Sequence, residues 1–222
     1  MTSARARLEV AIEAGNKKVF ASALDWPGWS RAAKTPDDAI EALRRYAPRY
    51  APIAKLADAD FPETFDLDVV DRLEGGSGTD FGVPSRIHAH DTRPTSATEA
   101  DRLARLLEAA WTTFDRVAAG APEELRKGPR GGGRDRDKMV RHAIEADWYY
   151  ARELGIKAKP PVPGDRAAIE ASRESVLAVL RTPSDGKPLA GRKWTARYAA
   201  RRIAWHSLDH AWEMEDRSTE NR

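Results

Sequence analysis

The sequence predicts an α+β protein: a small β-rich unit of βββα type followed by an up-down four-helix bundle. Three observations carry that reading. Apolar and polar residues alternate in short runs over roughly the first 70 residues, the period of half-buried strands. From about residue 96 the apolar residues recur every three or four positions. Between the two patterns, residues 91–95 read as a boundary, which divides the chain into 1–92 and 93–222. A chain of 222 residues fits one large domain or two small ones.

The elements follow in order. Leu8, Val10 and Ile12 alternate with polar or small residues as a strand does. Gly15-Asn16 supplies a turn, and residues 18–24 make the second strand of a hairpin. Trp26-Pro27-Gly28-Trp29 is a tight turn, and residues 30–34 a short third strand. Thr35 caps a helix with Pro36 in its first turn and Asp37 and Asp38 at its positive end. Ile40, Leu43 and Tyr46 or Ala47 form its apolar face, and Pro48 and Pro52 interrupt it. Residues 65–70 alternate again and predict a strand. Residues 75–78 read as a flexible glycine loop and residues 86–90 as a short extended piece.

The second part predicts four long helices. Ser96 and Glu99 form a capping box ahead of a stripe of Leu103, Leu106, Leu107, Ala110, Trp111, Phe114 and Val117, which ends at Gly120. A second helix spans about 135–154, with Met139, His142, Ala143, Ala146 and Tyr149 or Tyr150 inward and Gly155 behind it. Pro160, Pro161 and Pro163 stiffen the connector. Asp165 caps a third helix that reaches Leu180. A fourth runs over about 195–215.

Composition narrows the function classes. Lys+Arg 37 against Asp+Glu 35 gives a net charge of +2, too balanced to imply a nucleic-acid or membrane partner. Zero cysteines exclude disulfides, thiolate metal sites and thiol nucleophiles within this sequence. Any thiol must arrive as a cosubstrate. Residues 1–13 lack the pattern of a signal peptide, because Arg5, Arg7, Glu9 and Glu13 break the apolar content. No window of about 18 apolar residues offers a membrane span. A cytoplasmic location is the expectation.

Chemistry concentrates on three of five histidines. His206 and His210 stand four residues apart, so on a helix both imidazoles leave from one face. Ala199, Arg202 and Glu213 share that face. His142 lies mid-way along the second helix, at a matching depth if the second and fourth helices pack side by side. Three neutral imidazoles and an open position make a catalytic metal site. Nitrogen donors suit zinc, nickel, iron or copper, with zinc or nickel the leading divalent ions. Protonation of the ligands lowers occupancy below about pH 6. Glu145, three residues from His142, is the candidate base or ring-orienting group, ahead of Asp209.

Residues 138–142, Lys-Met-Val-Arg-His, and 202–210, Arg-Ile-Ala-Trp-His-Ser-Leu-Asp-His, resemble the DinB/YfiT-like superfamily of four-helix metal-binding proteins. The resemblance covers about 96–217 and implies His142, His206 and His210 as ligands, one by one. It also implies a metal-dependent hydrolase or a thiol S-transferase acting on a small molecule with mycothiol or bacillithiol. Residues 19–29 and the helix from Thr35 resemble a HicB-type unit, which implies a partial RNase H-like fold without nuclease residues. An alternative reading is a non-enzymatic, stress-related module that binds a protein partner through that unit. An exposed strand edge there invites a homodimer.

Other features invite a bland reading. His88 and His90 alternate and read as a polar loop edge rather than as a fourth ligand. Lys127, Arg130, Arg134 and Arg136 sit among glycines, yet the segment lacks the ordered residues of a P-loop. Trp111, Trp148, Trp205 and Trp212 recur at helical spacing as core. Arg197, Arg201 and Arg202 lie near the expected site, where arginine can clamp a substrate carboxylate.

Overall fold

The computed structural model describes residues 5–128 and 132–218. Arg130 of the basic loop lies outside them. The chain is mixed α and β, with a four-stranded sheet first and helices after it. β1 (Ala6–Ala14), β2 (Val19–Ala23) and β3 (Ser30–Ala33) form an antiparallel meander. β4 (Phe65–Glu74) pairs with β1 in parallel, so the sheet order is β3-β2-β1-β4. Parallel neighbours need a crossover. Here α1 (Pro36–Arg45) and α2 (Ala47–Leu56) supply it.

The prolines of that crossover follow the sequence reading in part. Pro48 opens α2 in its first turn, where a missing N–H costs nothing, and α1 ends before it. Pro52 lies inside α2. Thr35 caps α1 as expected, its hydroxyl accepting from the Asp38 N–H at 3.2 Å. Strand β4 alternates cleanly, with Asp66, Asp68, Arg72 and Glu74 outward. Charge along an edge strand discourages pairing with another chain.

Two loop expectations are corrected. Residues 75–78 are not a free glycine loop: Ser77–Phe81 forms a short helix, α3. Residues 86–90 are not a strand: the backbone enters a 3₁₀ turn at Ala89–Thr92. One buried carboxylate organises both places. Glu13 accepts from the Thr79 hydroxyl at 2.5 Å and from the Ser85 and Arg86 N–H groups at 3.0 Å each. Its side chain is fully buried on β1, and these donors answer the cost of taking a charge out of water.

Four long helices follow: α4 (Ala97–Gly120), α5 (Arg136–Glu153), α6 (Arg166–Leu180) and α7 (Ala196–Ser218). The Ser96–Glu99 capping box is present in both directions. Asp165 caps α6. Gly155 follows α5 at φ +82°, a left-handed turn that glycine adopts without strain. Both α4 and α5 pack against α7 and against α6, and α2 packs on α4.

Helix α7 also meets the sheet side. Phe20 of β2 stands edge-on to Trp205 at 5.9 Å, and Tyr46 to Trp212 at 5.1 Å. Gly28, at φ +93°, lies so close that an added Cβ would fall 2.6 Å from Leu208 Cδ1. Arg31 pairs with Asp209 at 3.0 Å, and Arg49 with Glu215 and Asp216 at 2.6 and 2.8 Å. One apolar core therefore runs from Val10, Ile12 and Trp29 through Leu106 and Leu107 to Ile203 and Leu208. Burial along α7 is continuous from Ala196 to Leu208.

Two buried acids sit in this interior in opposite states. Asp91 accepts from Arg201 at 2.6 and 3.1 Å and from the His88 N–H at 2.8 Å. Burial pushes its carboxyl up, but the Arg201 charge and hydrogen bonds outweigh that and hold it below its ordinary value. Asp147 on α5 has Arg173 at 3.8 Å and the Trp111 indole beside it, with the Asp115 charge opposing them. Burial raises its carboxyl to about 7.

Breaking the Asp91–Arg201 pair strands a buried charge, so Arg201→Met should cost about 3–5 kcal/mol in chemical denaturation. A loss under 1 kcal/mol would refute that role for the pair. For Asp147 the folded state holds the proton more tightly than the unfolded chain does. Its stabilising contribution is complete below the unfolded value of 3.8 and is lost as pH rises through about 7. The melting temperature of wild type relative to Asp147→Asn should therefore fall between pH 5 and pH 8. A pH-independent difference would contradict it.

Candidate metal centre

His206 and His210 project from one face of α7, and His142 projects toward them from α5. The ring centroids of His206 and His210 are 4.6 Å apart, and each lies 5.1 Å from that of His142. All three contacts are edge-on, with interplanar angles of 61–86°. One nitrogen from each ring lies within 4.8 Å of the other two. Thus the sequence's three candidate ligands do come together.

The donor set fits a metal ion. Nitrogens about 2.05 Å from a tetrahedral ion stand about 3.3 Å apart. The Nε2 atoms of His142 and His206 are 3.3 Å apart. Burial lowers the His206 ring well below its ordinary value, helped by His210, Arg202 and His142. Burial lowers His142 to about 4, with Arg134 and His210 adding to it. Both rings are then neutral well below pH 6. Proton competition starts lower for them than the reference imidazole implies.

The carboxylate that touches a ligand ring is Glu213. Its Oε2 lies 3.3 Å from His210 Nδ1, and its Oε1 accepts from Arg217 at 2.7 Å. The His210 hydrogen bond, against burial and with Arg217's help, holds Glu213 below its usual range. An ionised Glu213 makes Nδ1 the donor and leaves Nε2 bare toward the other rings. Glu145 does not take this role. It is exposed, and among the described residues it makes no hydrogen bond or ion pair. Its side chain faces solvent, whereas Glu213 at the same three-residue spacing from His210 lies against the ring. Glu213 was legible at the i+3 position from His210. Asp209 turns away to Arg31.

The surroundings are aromatic. Tyr150 meets the His206 ring at 5.5 Å, edge-on, and Trp194 packs on Tyr150 at 5.2 Å. Tyr150 is half-buried while Tyr149 is exposed, which resolves the choice between them. His142 is the least buried of the three histidines.

The three arginines differ. Arg197 donates to Glu99 at 2.6 Å and to the Pro94 carbonyl. Arg201 is paired with Asp91. Arg202 has no ion pair among the described residues, and its Nη1 is buried without a hydrogen-bond partner.

His88 and His90 are buried rather than at a loop edge. His88 Nδ1 lies 3.5 Å from Asp71, and His90 Nε2 lies 3.0 Å from Asp25 and 3.9 Å from Glu9. The Glu9–Asp25–His90 group also offers three donor atoms. Arg93 pairs with Glu9 at 3.2 Å, and Arg102 and Arg197 act on Asp25, so arginines already supply the cation there. In the basic loop, Lys127 pairs with Asp135, and Arg136 donates to the Ala121 carbonyl at 3.1 Å.

Comparison with family models, with curated proteins and with solved structures finds no match for this chain.

If Glu213 sets the His210 tautomer, Glu213→Gln should weaken zinc binding by about 10–100-fold. Competition against a chromophoric chelator measures it. Unchanged affinity would remove Glu213 from the site.

Proposed function

We propose that α4, α5, α6 and α7 form an up-down four-helix bundle whose His142, His206 and His210 hold a divalent ion, zinc or nickel. In this reading the chain is a metal-dependent enzyme acting on a small molecule, by hydrolysis or by transfer of a low-molecular-weight thiol of mycothiol type. The observation that carries it is the convergence of three imidazole nitrogens from two helices within 4.8 Å. Neutral imidazoles that bring their nitrogens this close present a ready donor set for a cation. A bound divalent ion supplies Lewis acidity and turns a water or thiol that it holds into a nucleophile near neutral pH.

The chain's own residues do the rest. Glu213 holds the His210 ring in the tautomer that presents Nε2. Tyr150, Trp194 and Trp205 wall the His206 side with apolar surface and thin the water there. A zero cysteine count agrees with an external thiol.

Mass spectrometry of metal content tests the reading. Purified wild type should carry about one equivalent, and the His206→Ala/His210→Ala protein should carry essentially none, because one remaining imidazole cannot retain the ion. No uptake by wild type after incubation with zinc and nickel at neutral pH would sink it.

A further inference from the structure

Arg202 lies one helical turn before His206 on the same face of α7. It is 8% exposed, and its Nη1 has no hydrogen-bond partner. Its guanidinium carbon stands 4.7 Å from the Trp205 ring centroid and 5.0 Å from that of Tyr150. Tyr150 in turn meets the His206 ring at 5.5 Å. The hydrogen-bonding neighbour of Arg202 is the Tyr150 hydroxyl, whose proton burial holds more tightly than usual, so that neighbour is neutral. Arg197 and Arg201, one turn and one residue earlier, each have a carboxylate. Arg202 is a positive charge, buried next to His206, with no carboxylate partner among the described residues.

A buried charge lacking a counter-ion is unfavourable, and an arriving anion relieves that cost. Cation–π contact with Trp205 and Tyr150 offsets part of that cost but does not neutralise the charge. Tyr150 engages one donor of the guanidinium, and Nη1 keeps a donor without an acceptor. A planar carboxylate meets a guanidinium in plane through two parallel hydrogen bonds.

We propose that Arg202 is the carboxylate receptor of this centre, and that the substrate is a small organic acid whose carboxylate docks on Arg202 while its reactive end reaches the histidine cluster. The inference depends on the metal reading for the reactive end only. The carboxylate contact belongs to Arg202 with or without metal. It makes Arg202 a substrate-binding residue and separates it from Arg197 and Arg201, which are structural.

The test is isothermal titration with benzoate, with its neutral isostere benzamide and with inorganic phosphate, on chelator-treated and zinc-loaded protein. Benzoate should bind chelator-treated wild type, and benzamide and phosphate should bind at least about tenfold more weakly, the scale of a lost charge-assisted hydrogen-bond pair. Arg202→Met and Arg202→Lys should each lose benzoate affinity by about tenfold or more while keeping the wild-type zinc equivalent. Ligand-free Arg202→Met should melt no lower than wild type, because it removes an uncompensated charge. Benzoate binding that ignores both substitutions, or benzamide or phosphate binding as tightly as benzoate, would overturn the proposal. The two readings fail separately. Protein that takes no metal yet binds benzoate through Arg202 removes the metal alone. Protein that loads zinc but binds benzoate without Arg202 removes the receptor alone.

Discussion

The burial of α7 is the constraint on which the rest of the structure depends. Every residue from Ala196 to Leu208 is buried, including Arg197, Arg201, Arg202 and His206. A helix of a two-layer protein normally buries one stripe and solvates the other face. Here α4 and α5 cover one side and the N-terminal sheet, with its Trp26–Trp29 turn, covers another. Each polar residue on α7 must then find a partner inside the protein or keep its charge for a ligand.

That requirement sorts the residues of α7 by direction. Asp209 turns to Arg31, Arg201 to Asp91 and Arg197 to Glu99, all of which tie α7 to neighbouring segments. His206 and His210 turn to α5 and meet His142. Arg202 shares the histidines' face and meets only aromatic rings and a phenol. The same helix therefore carries the joint between sheet and helices on one side and the candidate site on the other. A displaced sheet would disturb the site through Trp205, which touches both Phe20 and the His206 ring.

Local signals recovered most elements because local physics sets them. The Ser96–Glu99 box, the Thr35 and Asp165 caps and Gly155 after α5 each satisfy or release backbone groups within a few residues. The meeting of the three histidines was legible for a related reason: the i, i+4 spacing of His206 and His210 is a property of any helix. Long-range effects were not legible. Glu13 and its donors Thr79 and Ser85 are more than 60 positions apart, and their bonding replaced an expected loop with α3. The proline rule held for Pro48, since α1 ends before it and α2 opens on it, and failed for Pro52, which α2 carries inside.

By itself, the sequence determined the caps, the strand alternation, the absence of cysteine chemistry and the shared face of His206, His210, Arg202 and Glu213. Each is a matter of residue type and spacing within one element. Only the tertiary structure decided which of those groups have partners. It chose Glu213 over Glu145 beside a ligand ring, buried His88 and His90, and left Arg202, alone of the three arginines, with no carboxylate partner among the described residues. Pairing inside a protein depends on what a second element presents across the gap, and no periodicity along one element encodes that.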